Sequence, residues 1–343
     1  MQKDNILIWL PSPMGDAVLA TPALRAIRNH YADSSIYFYA NKIVKEVLSP
    51  CRFNDYWLAQ DTNCPFRTAQ KFKNYKFKQA ILLKNSFSSA LAIFLAGIKS
   101  RVGYARDCRS LLLTEKLYPP RLATGKFKPQ SMVKYYLAPA IWLGCNIQDD
   151  QLELSTDQQS SQSLKEKLPQ VDSTDKPLFI LVPGGAFGPS KCWPAQYFAK
   201  TTDLLIEKYN ANVVISVSPS PQEMKIAGEI CASSKNKLID ISQAKLSLGQ
   251  LKALFEKASL VIANDTGPRH IAIALKRKIV TLFGPNDPAW TDTGYENEIQ
   301  IVTDVPCAPC QKPKCPTKNH ICMKAISVER VFDAAIKLVE GDK

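Results

Sequence analysis

Apolar positions along this chain follow two alternating patterns. Residues 6–10 (Ile-Leu-Ile-Trp-Leu) form a short continuous apolar run closed by Pro11, which predicts a buried strand. After a loop over residues 11–15, Val18, Leu19, Pro22, Leu24, Ile27 and Tyr31 recur at three-to-four spacing. That spacing predicts a helix over residues 16–31 with one apolar face. Residues 36–39 and 80–83 predict further strands, and helical periodicity over residues 88–96 continues the alternation. Strand alternating with helix implies a parallel sheet covered by helices, an α/β fold.

The pattern restarts in the second half. Residues 178–182 predict a strand, residues 183–189 a Gly/Pro loop, and residues 194–209 a helix with Pro194 in its first turn. Residues 213–217, 260–263 and 279–283 predict more strands, and residues 328–340 a closing helix. The polar segment 156–176, interrupted by Pro169, reads as a helix plus a linker. A chain of 343 residues exceeds what one core usually fills. We therefore expect two doubly wound, Rossmann-like domains, residues 1–160 and 175–343. In such folds ligands bind at the carboxyl ends of the strands, here expected in a cleft between the domains.

Composition adds little, because 45% hydrophobic and 22% charged residues are ordinary for a globular chain. Charge changes the picture. Residues 42–134 hold 18 Lys and Arg against 5 Asp and Glu, a surplus of 13 that equals the net charge of the whole chain. Such a field suits a polyanion: nucleic acid, an anionic membrane or a phosphorylated glycolipid. It also suits a solvated surface with no partner. The first apolar run is too short for a signal-peptide core, and the most apolar later stretch, residues 90–98, is too short to cross a bilayer. A cytoplasmic location without an anchor is expected. Its ten cysteines should then be reduced thiols.

Candidate chemistry gathers at three strand-to-helix junctions. Ser12-Pro13-Met14-Gly15-Asp16 ends the first strand: Gly15 allows close approach of a ligand, and Asp16 either caps the helix or acts as a general base on a sugar hydroxyl. At the second junction, residues 183–194, Gly/Pro backbone and Lys191 precede a helix start, a setting that suits an anionic phosphate. It has neither Walker nor dinucleotide spacing. At the third, Asn264-Asp265-Thr266-Gly267-Pro268-Arg269-His270 crowds polar groups onto one helix start. Thr266 and Gly267 offer amides and a hydroxyl to a diphosphate there, while Asp265 and His270 orient them or contact a donor sugar. The cysteines Cys307, Cys310, Cys315 and Cys322 cluster without the paired spacing of a zinc ribbon, and read either as a packed loop or as a zinc site.

These segments together resemble glycosyltransferase family 9, the heptosyltransferases. The resemblance rests on Met14-Gly15-Asp16 with Thr21-Pro22-Ala23-Leu24, on Pro183-Gly184-Gly185 with Lys191-x-Trp193-Pro194, and on Asn264-Asp265-Thr266-Gly267-x-x-His270 with Phe283-Gly284-Pro285-x-Asp287-Pro288. They span nearly the whole chain in the right order. Asn85-Ser86-Phe87-x-Ser89-Ala90-Leu91 and Ala96-Gly97-Ile98-x-x-Arg101-x-Gly103 are similar to the branch that adds heptose to a heptose already in place.

The resemblance implies a GT-B fold and inverting transfer of L-glycero-D-manno-heptose from ADP-heptose to the phosphorylated inner core of lipopolysaccharide. Asp16 matches the family's base, Gly15, Lys191, Asp265, Thr266, Gly267 and His270 the donor side, and Glu223 the nucleoside position. No metal or cofactor is implied. Asn85, Arg101, Arg106 and Arg109 are the expected acceptor contacts, the arginines through their guanidinium forks. Contact with the inner face of the membrane is expected, and nucleic acid is not. At Pro268-Arg269 the chain departs from relatives that carry smaller or apolar residues.

A nucleic-acid-binding protein would account for the basic stretch and the cysteines but for none of the three junctions. A nicotinamide-dependent oxidoreductase would need a G-x-G-x-x-G loop that the first strand lacks.

Overall fold

The first apolar run becomes β1 (Asn5–Trp9), an inner strand of a six-stranded parallel sheet with β2 (Ser35–Ala40), β3 (Tyr56–Ala59), β4 (Gln79–Leu82), β5 (Ser100–Tyr104) and β6 (Glu115–Leu117). Its helices are α1 (Met14–Leu19), α2 (Thr21–His30), α3 (Lys42–Leu48), α4 (Pro65–Lys73), α5 (Phe87–Leu95) and α6 (Met132–Trp142). The computed structural model describes residues 3–172, 175–185 and 187–341; Ala186 of the second junction lies outside them. Leu7, Trp9, Tyr39, Phe72, Ala80, Leu82 and Ile93 form a buried core on one face of this sheet.

The second half repeats the plan with β7 (Leu178–Val182), β8 (Asn212–Ile215), β9 (Ile239–Asp240), β10 (Leu260–Asn264), β11 (Ile279–Phe283) and β12 (Glu298–Val302). Its helices are α7 (Gln158–Lys167), α8 (Ala195–Tyr209), α9 (Pro221–Ser233), α10 (Leu248–Glu256), α11 (Gly267–Ala274), α12 (Ile321–Lys324) and α13 (Val328–Glu340). All residues of β7, β10 and β11 are buried, as strands covered on both faces must be.

The sheets have the orders β3-β2-β1-β4-β5-β6 and β12-β11-β10-β7-β8-β9. Renumbered within its unit, each is the doubly wound order 3-2-1-4-5-6. The chain reverses its direction of progress between β1 and β4 and between β7 and β10, and such switch points are where open α/β sheets bind ligands. All three junctions singled out by the sequence follow a switch-point strand: β1, β7 and β10.

The chain divides into Met1–Leu154 with Ala289–Thr293, and Ser155–Pro288 with Gly294–Lys343. The polar helix α7 belongs to the second unit. Gln250 of α10 donates to the Ser163 hydroxyl of α7 at 2.7 Å, which ties the helix there. Two local expectations are corrected. The single helix over residues 16–31 is two helices, because Pro22 in the first turn of α2 has no N–H to give and its ring crowds the preceding turn. Pro194 is the N-cap of α8 and not part of its first turn.

Candidate active site

In the first unit, Asp16 is the third residue of α1, just beyond the carboxyl end of β1. It does not cap the helix: Pro13 occupies the N-cap, with no side-chain cap bond. Its Oδ1 instead accepts the hydroxyl of Tyr136, at 3.1 Å. Burial raises the Asp16 carboxyl above its usual range, and the Tyr136 hydrogen bond only partly opposes that. A carboxylate that is half-buried, raised and oriented by a phenol has the properties of a general base.

Basic side chains occupy the loops that follow β4, β5 and β6 of this unit. Lys84, after β4, is lowered by burial and stands 6.0 Å over the Trp9 ring. Arg106 and Arg121 lie 4.6 and 4.4 Å over Phe127, and Arg106 also pairs with Asp107 at 3.1 Å.

Arg109 departs from what was expected of it. It is fully buried, and its three nitrogens donate to the carbonyls of Tyr104 and Lys84 and to Asn85 Oδ1, at 2.7–2.8 Å. Such a guanidinium shapes the loop after β4 and aims Asn85; it is not placed to take up an acceptor phosphate. Arg101 is likewise engaged, donating to the carbonyls of Leu112 and Ile98 at 2.7 and 2.6 Å. The other two expected acceptor residues also have partners: Asn85 accepts Arg109, and Arg106 pairs with Asp107.

In the second unit, Lys191 and Asp265 come together from loops 74 residues apart. The Lys191 ammonium donates to the Asp265 carbonyl at 2.7 Å and to Oδ2 at 2.8 Å, and lies 4.7 Å over the Phe187 ring. Both hydrogen bonds tie the ammonium to Asp265. Asp265 thus contributes by holding a cation, since a carboxylate cannot itself bind phosphate. Burial alone would raise its carboxyl, but Lys191 and Arg269 overcome that and hold it at about 2.

Arg269 is fully buried and forks onto Glu298, Nε to Oε1 at 2.6 Å and Nη2 to Oε2 at 2.9 Å, with Asp265 at 3.4 Å. The Arg269 side chain therefore points into the fold, onto Glu298 and Asp265. Asn286 donates to Asp265 Oδ2 at 2.9 Å.

Glu223, expected at the nucleoside, accepts the N–H groups of Gly185 at 3.2 Å and Ser218 at 2.8 Å, which fixes the glycine loop. A Cβ at Gly184 would collide with the Glu223 carboxylate, so this approach requires glycine. Thr266 is the N-cap of α11 but makes no side-chain cap bond. Pro268 has no N–H, so Thr266 and Gly267 are the amide donors at this helix start.

His270 is buried in α11, with Nδ1 lacking a hydrogen-bond partner. Burial, reinforced by Arg269, lowers it to about 3. Unfolding releases it to an ordinary value near 6.5, so the unfolded chain binds the extra proton between those two values. Stability of the second unit should therefore fall as pH drops from about 6.5 towards 3. Replacing His270 by glutamine should flatten part of that slope in urea titrations at stepped pH; an unchanged slope would show that the ring is accessible to protons.

The cysteine-bearing loop buttresses the Lys191 loop. Ser190 donates through N and Oγ to the carbonyls of Pro313 and Lys312, at 3.2 and 2.6 Å. Gly188 has φ 142°, and a Cβ there would strike the Pro313 carbonyl. Burial pushes the Cys322 thiol up, with Cys307, Cys310 and Cys315 adding to it. Among the described residues no group of three or more His, Cys, Asp or Glu side chains is arranged to hold a metal ion.

A family model, glycosyltransferase family 9 (heptosyltransferase), matches residues 66–321. The chain belongs to glycosyltransferase family 9. Among individual family members, it is 25% identical over 342 residues to lipooligosaccharide heptosyltransferase 2 of Campylobacter jejuni, covering 97% of this chain and 99% of that one. The solved ADP-heptose lps heptosyltransferase II of Escherichia coli superposes with a TM-score of 0.79 at 23% identity, over 98% of this chain and 99% of the other. A family 9 glycosyltransferase from Veillonella parvula gives 0.82 at 21% identity over 99% of both. The two switch-point sheets are thus the GT-B fold of this family, and the chain is a glycosyltransferase of the heptosyltransferase type.

Tyr136, Lys84, Asn286 and Glu298 were not among the residues expected from the sequence. Only Asn286 had a signal, its place inside Phe283-Gly284-Pro285-x-Asp287-Pro288.

Proposed function

We propose that this family 9 enzyme transfers L-glycero-D-manno-heptose from ADP-heptose to the heptosylated, phosphorylated inner core of lipopolysaccharide, with inversion and without a metal, at the cytoplasmic face of the inner membrane. The carrying observation is the pair of switch-point sites: an oriented, raised carboxylate in one unit and a fixed ammonium beside a helix start in the other. Asp16 takes the proton of the attacking acceptor hydroxyl as the new C–O bond forms. The bond from the anomeric carbon to ADP breaks, and ADP leaves with the electron pair. Attack opposite the leaving group inverts the anomeric centre. Lys191 and the Thr266 and Gly267 amides receive the charge that develops on the diphosphate, the part a metal plays elsewhere. The names of the full-length relatives support donor and acceptor, and the cationic loops after β4 and β5 suit a phosphorylated acceptor.

The test is product mass: with ADP-heptose, a heptosylated core fragment should gain one heptosyl residue, also after EDTA treatment, while a core lacking heptose should gain none. Equal transfer to both fragments would overturn the acceptor assignment. On the donor side, Lys191→Ala should weaken ADP binding about tenfold or more, because a charge-assisted hydrogen bond contributes on the order of 1.5–3 kcal/mol. Equal affinities by calorimetry would remove Lys191 from the diphosphate site.

A further inference from the structure

The second unit holds a long irregular segment that the assigned reaction does not use. Between β12 and α12 the described residues 303–320 form no helix or strand. Cys307, Cys310 and Cys315 lie in it and Cys322 just beyond it, all four as free thiols. A connection of that length without regular structure, inside a compact unit, usually carries a function. Hydrogen bonds tie this one to two donor-side loops. The Gln311 N–H donates to the Pro285 carbonyl after β11 at 2.7 Å, and Ser190, next to Lys191, donates to the Lys312 and Pro313 carbonyls. The thiols are gathered by the same contacts. Cys310 immediately precedes Gln311, and a Cβ added to Gly284, the neighbour of Pro285, would come within 3.3 Å of Cys322 Sγ, so Cys310 and Cys322 flank one turn. From Cys322 a chain of contacts leads back to Cys315. The Ile321 N–H donates to Asn319 Oδ1 at 3.3 Å, Thr317 Oγ1 donates to the same oxygen at 2.7 Å, and that hydroxyl lies 3.4 Å from Cys315 Sγ.

The chain's thiols are not equivalent. The Thr317 hydroxyl, and then the backbone N–H groups of His320, Thr317 and Lys318, hold the Cys315 thiol below its usual value, and such donors favour the thiolate that reacts with oxidants. Burial pushes Cys145 and Cys192 up to about 11 and raises Cys231. Cys64 is lowered as well, by the amides of Arg67 and Phe66, but the nearest cysteine in sequence, Cys51, is 13 residues away. Cys315 alone joins an activated thiol to a group of other thiols. We propose that Cys315 and Cys310 form a hydroperoxide-sensitive pair whose disulfide reshapes the Lys191 loop. Residues 311–314, the bridge between them, include Lys312 and Pro313, whose carbonyls Ser190 holds. Closing a sulfur–sulfur bond of about 2.05 Å between two free thiols re-aims that bridge. The Lys191 loop has no slack to absorb the change, because the Pro313 carbonyl already lies where a Cβ at Gly188 would be.

The chemistry balances with one hydroperoxide. The Cys315 thiolate attacks the peroxide: an S–O bond forms, the O–O bond breaks, and the departing oxygen takes up the proton that Cys315 gave up and leaves as water. The product is a sulfenic acid. The Cys310 thiolate then attacks that sulfur, the S–S bond forms, the S–O bond breaks, and hydroxide leaves with the Cys310 proton as a second water. The two thiols lose two electrons, and the peroxide gains them. A dithiol reductant reverses the change by thiol–disulfide exchange. Control of ADP binding by this pair rests on the reading of Lys191 as the diphosphate ligand, whereas the bridge itself is observed without it.

The experiment exposes the reduced full chain to stoichiometric hydrogen peroxide at neutral pH, then reads the alkylated peptides by mass spectrometry and ADP affinity by calorimetry. Wild type should give a peptide bridged between Cys310 and Cys315. Its ADP affinity should fall about tenfold, as expected when the hydrogen bonds that hold the Lys191 loop are disturbed, and return with dithiothreitol. Cys310→Ser should stop at the Cys315 sulfenic acid, captured by dimedone, and keep its ADP affinity. Cys315→Ser should form neither product, and Cys64→Ser should respond as wild type does. When reduced, all three should bind ADP as wild type does. A bridge between other cysteines, a bridge that leaves ADP affinity unchanged, or a loss of affinity in the double variant Cys310→Ser with Cys315→Ser would overturn the proposal. So would a metal ion that copurifies with wild type and is lost from that double variant, because the thiols would then be its ligands. A bridge formed in a chain that binds ADP in neither state would remove the donor reading and the control that depends on it, and leave the thiol pair standing on its mass.

Discussion

Replacing Asp16 by asparagine should lower turnover about 10²- to 10⁴-fold while ADP binding stays at its wild-type level. The amide keeps the shape of the side chain and can still meet the Tyr136 hydroxyl, but it cannot take a proton. Thermal stability should hold or rise slightly, because the variant no longer buries a carboxylate whose burial raises its pKa. The direction of that shift also sets the pH profile. The base works only when ionised, so activity should fall on the acid side as pH drops through a value above the ordinary carboxylate range. Tyr136→Phe removes the hydrogen bond that opposes the rise, and should move that limb further towards neutral pH. An asparagine variant that turns over at wild-type speed would make Asp16 a structural residue of α1.

The largest effect on stability should come from Glu298→Ala. Arg269 is fully enclosed, and Glu298 is the carboxylate onto which its guanidinium forks. Removing one partner breaks a buried ion pair, which typically costs about 3–5 kcal/mol. The transition of the second unit in a calorimetric melt should fall accordingly, and ADP should bind more weakly because Asp265 and Lys191 lose their support. Arg269→Met with Glu298→Leu should recover most of the stability, since an apolar pair of similar volume removes both charges of the broken pair. A Glu298→Ala variant as stable as wild type would mean that water or another acid satisfies Arg269.

The switch-point junctions are legible in the sequence because each condenses its chemistry into one short segment. Asp16 follows a strand by a few residues, and Asp265, Thr266 and Gly267 are consecutive. What brings distant segments together is not legible. Tyr136 reaches Asp16 across 120 residues, and Glu298 meets Arg269 across 29, with nothing in periodicity or composition to join them. The same limit explains the arginines. A basic residue in a basic stretch reads as a contact, yet Arg109 spends its donors on carbonyls that only the folded loops bring within reach. The break between α1 and α2 was signalled by Pro22, but six apolar positions in helical register masked it.

The central claim, that a base in one unit and a cationic diphosphate site in the other serve heptosyl transfer from an ADP-sugar, is tested most directly by mass-spectrometric detection of ADP release. Wild type and Asp16→Asn would be run side by side against ADP-heptose and other nucleotide sugars, with and without a heptosylated core acceptor. Rapid ADP formation by wild type from ADP-heptose alone among the donors, dependent on acceptor and nearly lost in Asp16→Asn, is the predicted result. Acceptor-dependent release from a different nucleotide sugar, or equal rates in the two proteins, would contradict it.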